Sequence, residues 1–167
     1  MEELTDREWL EHNGFEGFVT VDGLRASSLE AVPEAPGVYA VLGKSDAAPR
    51  FLRTNPSGRF KGKDATVSRD MLRRAWVEGS RVLYLGKAGG SGSTVTLRRR
   101  LRQYLDFGAG RPVAHWGGRL VWQMTDSDGL LVCWKVTRAA AARGVERELL
   151  QAFRNEHGKL PFANLRG

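Results

Sequence analysis

Two short strings constrain this chain most: Gly37-Val38-Tyr39 inside one apolar run, and Tyr84-Leu85-Gly86-Lys87 at the end of another. Each sets a tyrosine and a glycine at the edge of an expected strand, where β-branched and aromatic residues fit the pleated surface. A glycine-rich stretch over 86–94 follows the second string. Then comes Leu97-Arg98-Arg99-Arg100-Leu101-Arg102-Gln103-Tyr104. Leu97, Leu101, Tyr104 and Leu105 recur at helical spacing, so a helix is expected over 96–107. Strand, turn and helix in this order bring two tyrosines, a lysine and an arginine-rich helix beside one sheet. Those groups suit a phosphate.

The rest of the pattern predicts an α+β domain, with a small, mainly antiparallel central sheet flanked by helices. Residues 38–42 and 82–85 read as strands, and 15–21 as a short one. Residues 119–124 and 130–137 read as the arms of a hairpin around the turn Thr125-Asp126-Ser127-Asp128-Gly129. Residues 50–53 can add a strand. Helices are expected over 3–12, with Thr5 as its cap, and over 68–78, capped by Ser68 with Met71, Leu72 and Ala75 or Trp76 inward. Another is expected over 139–156, closed by Gly158, and 24–30 reads as a turn or short helix. Residues 1–35 form an acidic segment packed on the domain. Residues 36–167 form the domain itself, with a polar insertion at about 43–78.

Charge separates the two parts. The chain carries +7 overall, but residues 1–36 hold nine acids against Arg7 and Arg25, a net of −7, which leaves +14 on residues 37–167. A basic domain of this kind meets a polyanion readily, although many soluble surfaces are also rich in arginine. Cys133 is the only cysteine, so no intrachain disulfide forms, and its apolar neighbours Leu130-Leu131-Val132 and Trp134 predict a packed thiol. His12, His115 and His157 have no zinc spacing. The acidic N-terminus and the absence of a long apolar stretch predict a cytoplasmic protein without a membrane span, as a monomer or weak dimer.

Three features carry the chemistry. The 86–94 loop lies where backbone N–H groups cradle phosphates, but Lys87 stands at its start and Ala88 follows. A P-loop places its lysine just before Ser or Thr at the end, so a nucleotide-binding reading competes with a flexible connector. On the arginine helix, Arg100 borders the apolar stripe, three residues after Leu97 and four before Tyr104. Arg98, Arg99 and Arg102 point further out and suit non-specific phosphate contacts. On the last helix, Leu149, Leu150 and Phe153 follow Glu146 at i+3, i+4 and i+7, which sets a carboxylate on the sheet-facing stripe. A carboxylate there needs a partner, either a structural arginine or a metal. Glu148 faces more outward. Asp126 and Asp128 read as turn formers.

Taken together, these residues resemble the GIY-YIG nuclease family, which includes the incision subunit of nucleotide excision repair, some homing endonucleases and some restriction enzymes. Gly37-Val38-Tyr39 stands at the first motif and Tyr84-Leu85-Gly86 at the second, with Lys87 in the place of a frequent lysine. The resemblance implies a catalytic arginine at Arg100 and a histidine-or-tyrosine position at Tyr104. It also implies a metal-binding glutamate at Glu146, with Glu148 as the alternative, and the terminal asparagine at Asn164. It covers roughly residues 36–166. The implied activity is hydrolysis of DNA phosphodiester bonds, with RNA as a further substrate class, at one Mg2+ or Mn2+. Glu146 holds the ion, Arg100 neutralises charge on the phosphoryl oxygens, and Tyr39 or Tyr84, helped by Lys87, orients or deprotonates water. Arg59, Lys61 and Lys63 around Phe60, and the string His115-Trp116-Gly117-Gly118-Arg119, combine charge with stacking rings as strand binders do. Both also fit ordinary loop and core roles. Specificity then comes from the insertions or from a protein partner. A non-catalytic nucleic-acid-binding module on the same fold is the rival reading.

Overall fold

The computed structural model describes residues 6–59, 61–113 and 115–165. The expected cap Thr5 and the ring of Phe60 lie outside the described residues. The chain runs α1 (Asp6–His12), β1 (Glu16–Thr20), α2 (Val21–Ala26), β2 (Gly37–Leu42), α3 (Arg69–Ala75), β3 (Val82–Ala88), α4 (Leu97–Gly108), β4 (Leu131–Val136) and α5 (Ala142–His157). Four strands form one antiparallel sheet in the order β1-β4-β2-β3, so the fold is α+β with β3 at an edge. Among the described residues, no helix is long and apolar enough to cross a membrane.

Alternation along β2 explains how the sheet is covered. Every β2 residue is buried, because both faces are packed. Tyr39 and Val41 join one core with Tyr84, Val132 and Trp134, under Leu97, Leu101, Tyr104 and Leu105 of α4. Val38, Ala40 and Leu42 join the other with Leu85 and Cys133, under Leu149, Leu150 and Phe153 of α5 and Leu10 of α1. Helices α4 and α5 therefore approach the sheet from opposite faces and share its edge strand, β3. Cys133 is fully buried, and that burial pushes its thiol above the usual range, which makes it an inert core group.

Several elements differ from the sequence-based expectation. The hairpin over 119–137 does not form: only β4 is a strand, while Arg119–Gln123 and Ser127–Gly129 are 3-10 turns. Leu120, Val121, Trp122, Gln123 and Met124 are all buried in succession, which a strand with one solvent face cannot achieve. Gln123 explains part of this. Its side-chain amide donates to Leu52 O at 2.9 Å and Val67 O at 2.7 Å, and its Oε1 accepts from Val67 N at 3.0 Å. One buried amide thus fastens the 43–78 insertion to the domain. Phe51 makes only an isolated bridge to Met124, not a strand. Val21 begins α2 instead of ending β1, because Thr20 Oγ1 caps Gly23 N at 3.0 Å. Ser68 caps α3 as expected, but the helix stops at Ala75, and Met71 is 48 % exposed while Leu72 and Trp76 turn inward. Gly158 closes α5 in the left-handed region at φ 75°.

Candidate active site

Both glycines of the two strings are required by close approach, not by turn geometry. A Cβ on Gly37 would overlap the carbonyl oxygen of Lys135 on β4 and reach Leu97 Cδ1 at 2.9 Å. A Cβ on Gly86 would lie 2.5 Å from Tyr39 Cζ and 2.6 Å from its Oη. Tyr39 and Gly86 are direct cross-strand partners, so the missing side chain makes room for the Tyr39 ring. That ring sits 6.0 Å from Tyr84 and 6.2 Å from Tyr104, centroid to centroid, with Tyr84 and Tyr104 5.5 Å apart.

His115 completes this aromatic cluster. It stacks on Tyr104 at 4.5 Å, and its Nε2 lies 3.3 Å from Tyr39 Oη. Burial, and then the charge of Arg100, lower its pKa to about 3, so the imidazole is neutral at physiological pH. The expectation of His115 as a surface nucleic-acid contact is therefore corrected: it is 1 % exposed, with its ring held inside the tyrosine cluster. Nothing in the sequence periodicity of 109–118 announces that placement. Tyr104 Oη donates to Gly118 O at 2.8 Å, which pins the loop bearing His115 against α4.

A cleft of about 310 Å³ opens over this cluster at the edge of β3, lined by Tyr39, Tyr84, Lys87, Arg100 and Glu146 among others. It draws Tyr39 from β2, Tyr84 and Lys87 from β3, Arg100 from α4 and Glu146 from α5. Burial raises the pKa of both phenols, and Arg100 opposes that shift, so in this state they are neutral donors and acceptors. Burial also raises Glu146, while Lys87, Arg100 and Arg143 pull its pKa back down. Lys87 Nζ donates to Gly89 O at 3.2 Å. Glu148 is exposed and lines neither this cleft nor the larger one beside it.

The other arginines of α4 divide. Arg98 donates to Val32 O at 2.8 Å, Glu30 O at 3.1 Å and Glu34 Oε1 at 2.8 Å. It does not point outward to meet phosphate; it ties the acidic N-terminal segment to α4. Arg102 donates to Ser28 O at 3.1 Å in the same way, while its side chain stays exposed. Arg99 is exposed with no ion pair among the described residues. Lys61 and Lys63 are exposed in the insertion, away from the cleft lining. Asn164 lies outside this cleft and lines the larger one beside it. It pairs both ways with the Leu85 backbone, Oδ1 accepting from N and Nδ2 donating to O, each at 2.9 Å, and so seals the free edge of β3.

The N-terminus of α4 offers no phosphate cradle. Leu97 N donates to Ala35 O, Arg98 N to Pro33 O, Arg99 N to Thr96 Oγ1 and Arg100 N to Thr96 O. The first-turn donors that would receive a nucleotide phosphate are already satisfied.

Glu146 is the residue here that could hold a hard divalent cation. Glu146 is the one carboxylate lining the cleft, and no three His, Cys, Asp or Glu side chains converge among the described residues. Mg2+ keeps several waters and binds through one carboxylate plus substrate phosphates, so a lone half-buried glutamate facing an open cleft matches its demands, unlike those of zinc. No family model, curated protein or solved structure matches this chain.

Proposed function

We propose that the protein is a metal-dependent endonuclease of the GIY-YIG type that hydrolyses DNA phosphodiester bonds. The observation that carries this reading is the convergence of Tyr39, Tyr84, Lys87, Arg100 and Glu146 on one cleft from four different elements. A binding surface needs cations alone, and a half-buried carboxylate among them works against a polyanion unless something neutralises it. Glu146 would hold Mg2+ or Mn2+, which supplies polarisation of a phosphate oxygen when bound. Arg100, carried on α4 with its charge acting on both phenols and Glu146, neutralises charge developing on the phosphoryl oxygens.

The phenols hold the attacking water. A tyrosine of ordinary pKa about 10 is a poor base near neutrality, and burial here moves both further up. Tyr39 would therefore act through position: its Oη lies 3.3 Å from Nε2 of neutral His115, and the residue lines the cleft beside Tyr84. Tyr84, at 9 % exposure, makes the second contact at the cleft mouth. Lys87 lines the same cleft and opposes the burial shift of Glu146.

The test is cleavage of supercoiled plasmid and of short oligonucleotides in Mg2+, in Mn2+ and in chelator. Nicking that requires the metal, disappears in Glu146→Ala and survives in Glu148→Ala supports the assignment. Metal-independent binding with no cleavage of any substrate leaves a nucleic-acid-binding module instead. Loss of cleavage in Glu148→Ala alone moves the ligand by two residues.

A further inference from the structure

A second cleft, of about 740 Å³, adjoins the first and shares Tyr84, Lys87 and Glu146 with it. Its rim is cationic: Arg143 and Arg147 flank Glu146 on α5, and Arg119 faces them from the 119–123 turn. Some arginines elsewhere are matched to acids, as in Arg7–Glu11, Arg25–Asp128, Arg73–Asp70, Arg98–Glu34 and Arg111–Asp106. Arg119, Arg143 and Arg147 have no such ion pair among the described residues, and Arg119 Nε is buried without a hydrogen-bond partner.

The wall is different in kind. Trp116 lies there with the Arg119 guanidinium stacked on its ring at 4.2 Å. Leu165, which also lines the cleft, is 44 % exposed, one of three large apolar side chains so exposed among the described residues. Gly117 and Gly118 keep the floor low. A Cβ on Gly118 would meet the Tyr84 ring at 2.9 Å and Tyr104 Oη at 2.8 Å, and Gly118 sits at φ 75°. A groove for duplex backbone alone needs cations and no apolar wall. Clustered guanidinium groups above an open, partly apolar recess match a ligand with an anionic edge and a flat apolar body.

We propose that this cleft receives an unpaired nucleotide next to the scissile phosphate. Its base lies against Trp116, Arg119 and Leu165, and its phosphates meet Arg143 and Arg147. The substrate is then a strand with at least one unstacked base, in a single strand, a branch or a flipped position, and not regular duplex. This rests on the proposed nuclease reading for the position of the scissile bond, but the binding preference can be measured without cleavage.

The experiment is fluorescence anisotropy in chelator with three labelled probes of equal length: single-stranded oligothymidylate, perfect duplex, and duplex with a central unpaired loop. The expected result is binding of the single strand and the looped duplex at least about tenfold tighter than perfect duplex. Leu165→Ser and Trp116→Ala reduce that preference towards unity and leave duplex affinity unchanged. Leu165 is exposed, so its variant tests the idea even if Trp116→Ala folds poorly. Arg143→Ala and Arg147→Ala weaken all three probes and each lower the salt slope by about one. Equal affinity for all three probes, or a preference unchanged in Leu165→Ser, overturns the proposal. Adding Mg2+ separates the two readings. Preference without cleavage supports this cleft and sinks the nuclease, whereas cleavage without preference does the reverse.

Discussion

Gly86→Ala tests the geometry of the site with a single methyl group. The added Cβ would stand 2.5 Å from Tyr39 Cζ, whereas carbon atoms prefer about 3.5 Å, so the phenol must retreat by about 1 Å. It has nowhere easy to go. Tyr39 is 1 % exposed, boxed by Tyr84 and Tyr104, and held to His115 at 3.3 Å. Overpacking of this kind costs about 1–3 kcal/mol, and at this chain length each kcal/mol lowers Tm by about 2–4 °C. A displacement of about 1 Å at a reacting group costs about 100-fold in rate. Gly37→Ala is the control, because its Cβ strikes the Lys135 carbonyl and α4 but not the phenol. Urea melts and single-turnover cleavage of an oligonucleotide measure both effects. Gly86→Ala should lose about 100-fold in cleavage rate in conditions where it remains folded, while Gly37→Ala loses stability with a smaller change in rate per folded molecule. A Gly86→Ala protein that cleaves at the parent rate would refute the packing argument.

Other perturbations separate the remaining groups. His115→Phe preserves stacking on Tyr104 but removes the ring nitrogen 3.3 Å from Tyr39 Oη, so cleavage should fall by about tenfold or more while DNA affinity in chelator holds. Arg98→Ala loses three hydrogen bonds to the 30–34 segment and should cost about 1–2 kcal/mol in urea unfolding with DNA affinity unchanged, since that arginine is occupied. Arg99→Ala should do the opposite, lowering affinity and salt slope at constant stability. Burial raises the folded-state pKa of Glu146 above its unfolded value. Its contribution to stability is thus fully present below the unfolded pKa and lost as pH rises through the folded one. Glu146→Gln should accordingly unfold at higher urea than the parent at neutral pH, with the difference closing on acidification. The same shift predicts that cleavage falls off on acidification at a higher pH than an ordinary carboxylate would give.

How much of this was legible in the sequence depends on the range of the interaction. Tyr104 and Leu101 on the α4 stripe located Arg100 beside the cleft, and Leu149, Leu150 and Phe153 located Glu146, because helical periodicity reports a face directly. The sequence set Tyr39 and Tyr84 at the edges of two strands, and the register Tyr39–Gly86 and Val41–Tyr84 puts both on one side of the sheet. Arg98 escaped that logic. A helical wheel turns it outward, but the backbone carbonyls of Val32 and Glu30 come to meet it from 66 and 68 residues away. His115 lies in a segment with no periodicity, so only tertiary packing reveals its burial. The expected hairpin over 119–137 failed for a related reason. A run of five buried residues mimics a strand, yet Gln123 holds it in a turn through contacts with Leu52 and Val67.

The most direct test of the central claim, that Arg100 and Glu146 act as one unit on one phosphate, is a double-mutant cycle on single-turnover cleavage with saturating Mg2+. Arg100→Ala and Glu146→Ala should each lose about 100- to 1000-fold, and the double variant should be little slower than the worse single one, as for groups that serve one transition state. Cleavage persisting at the parent rate in either single variant, or losses that simply multiply in the double variant, would contradict a shared site.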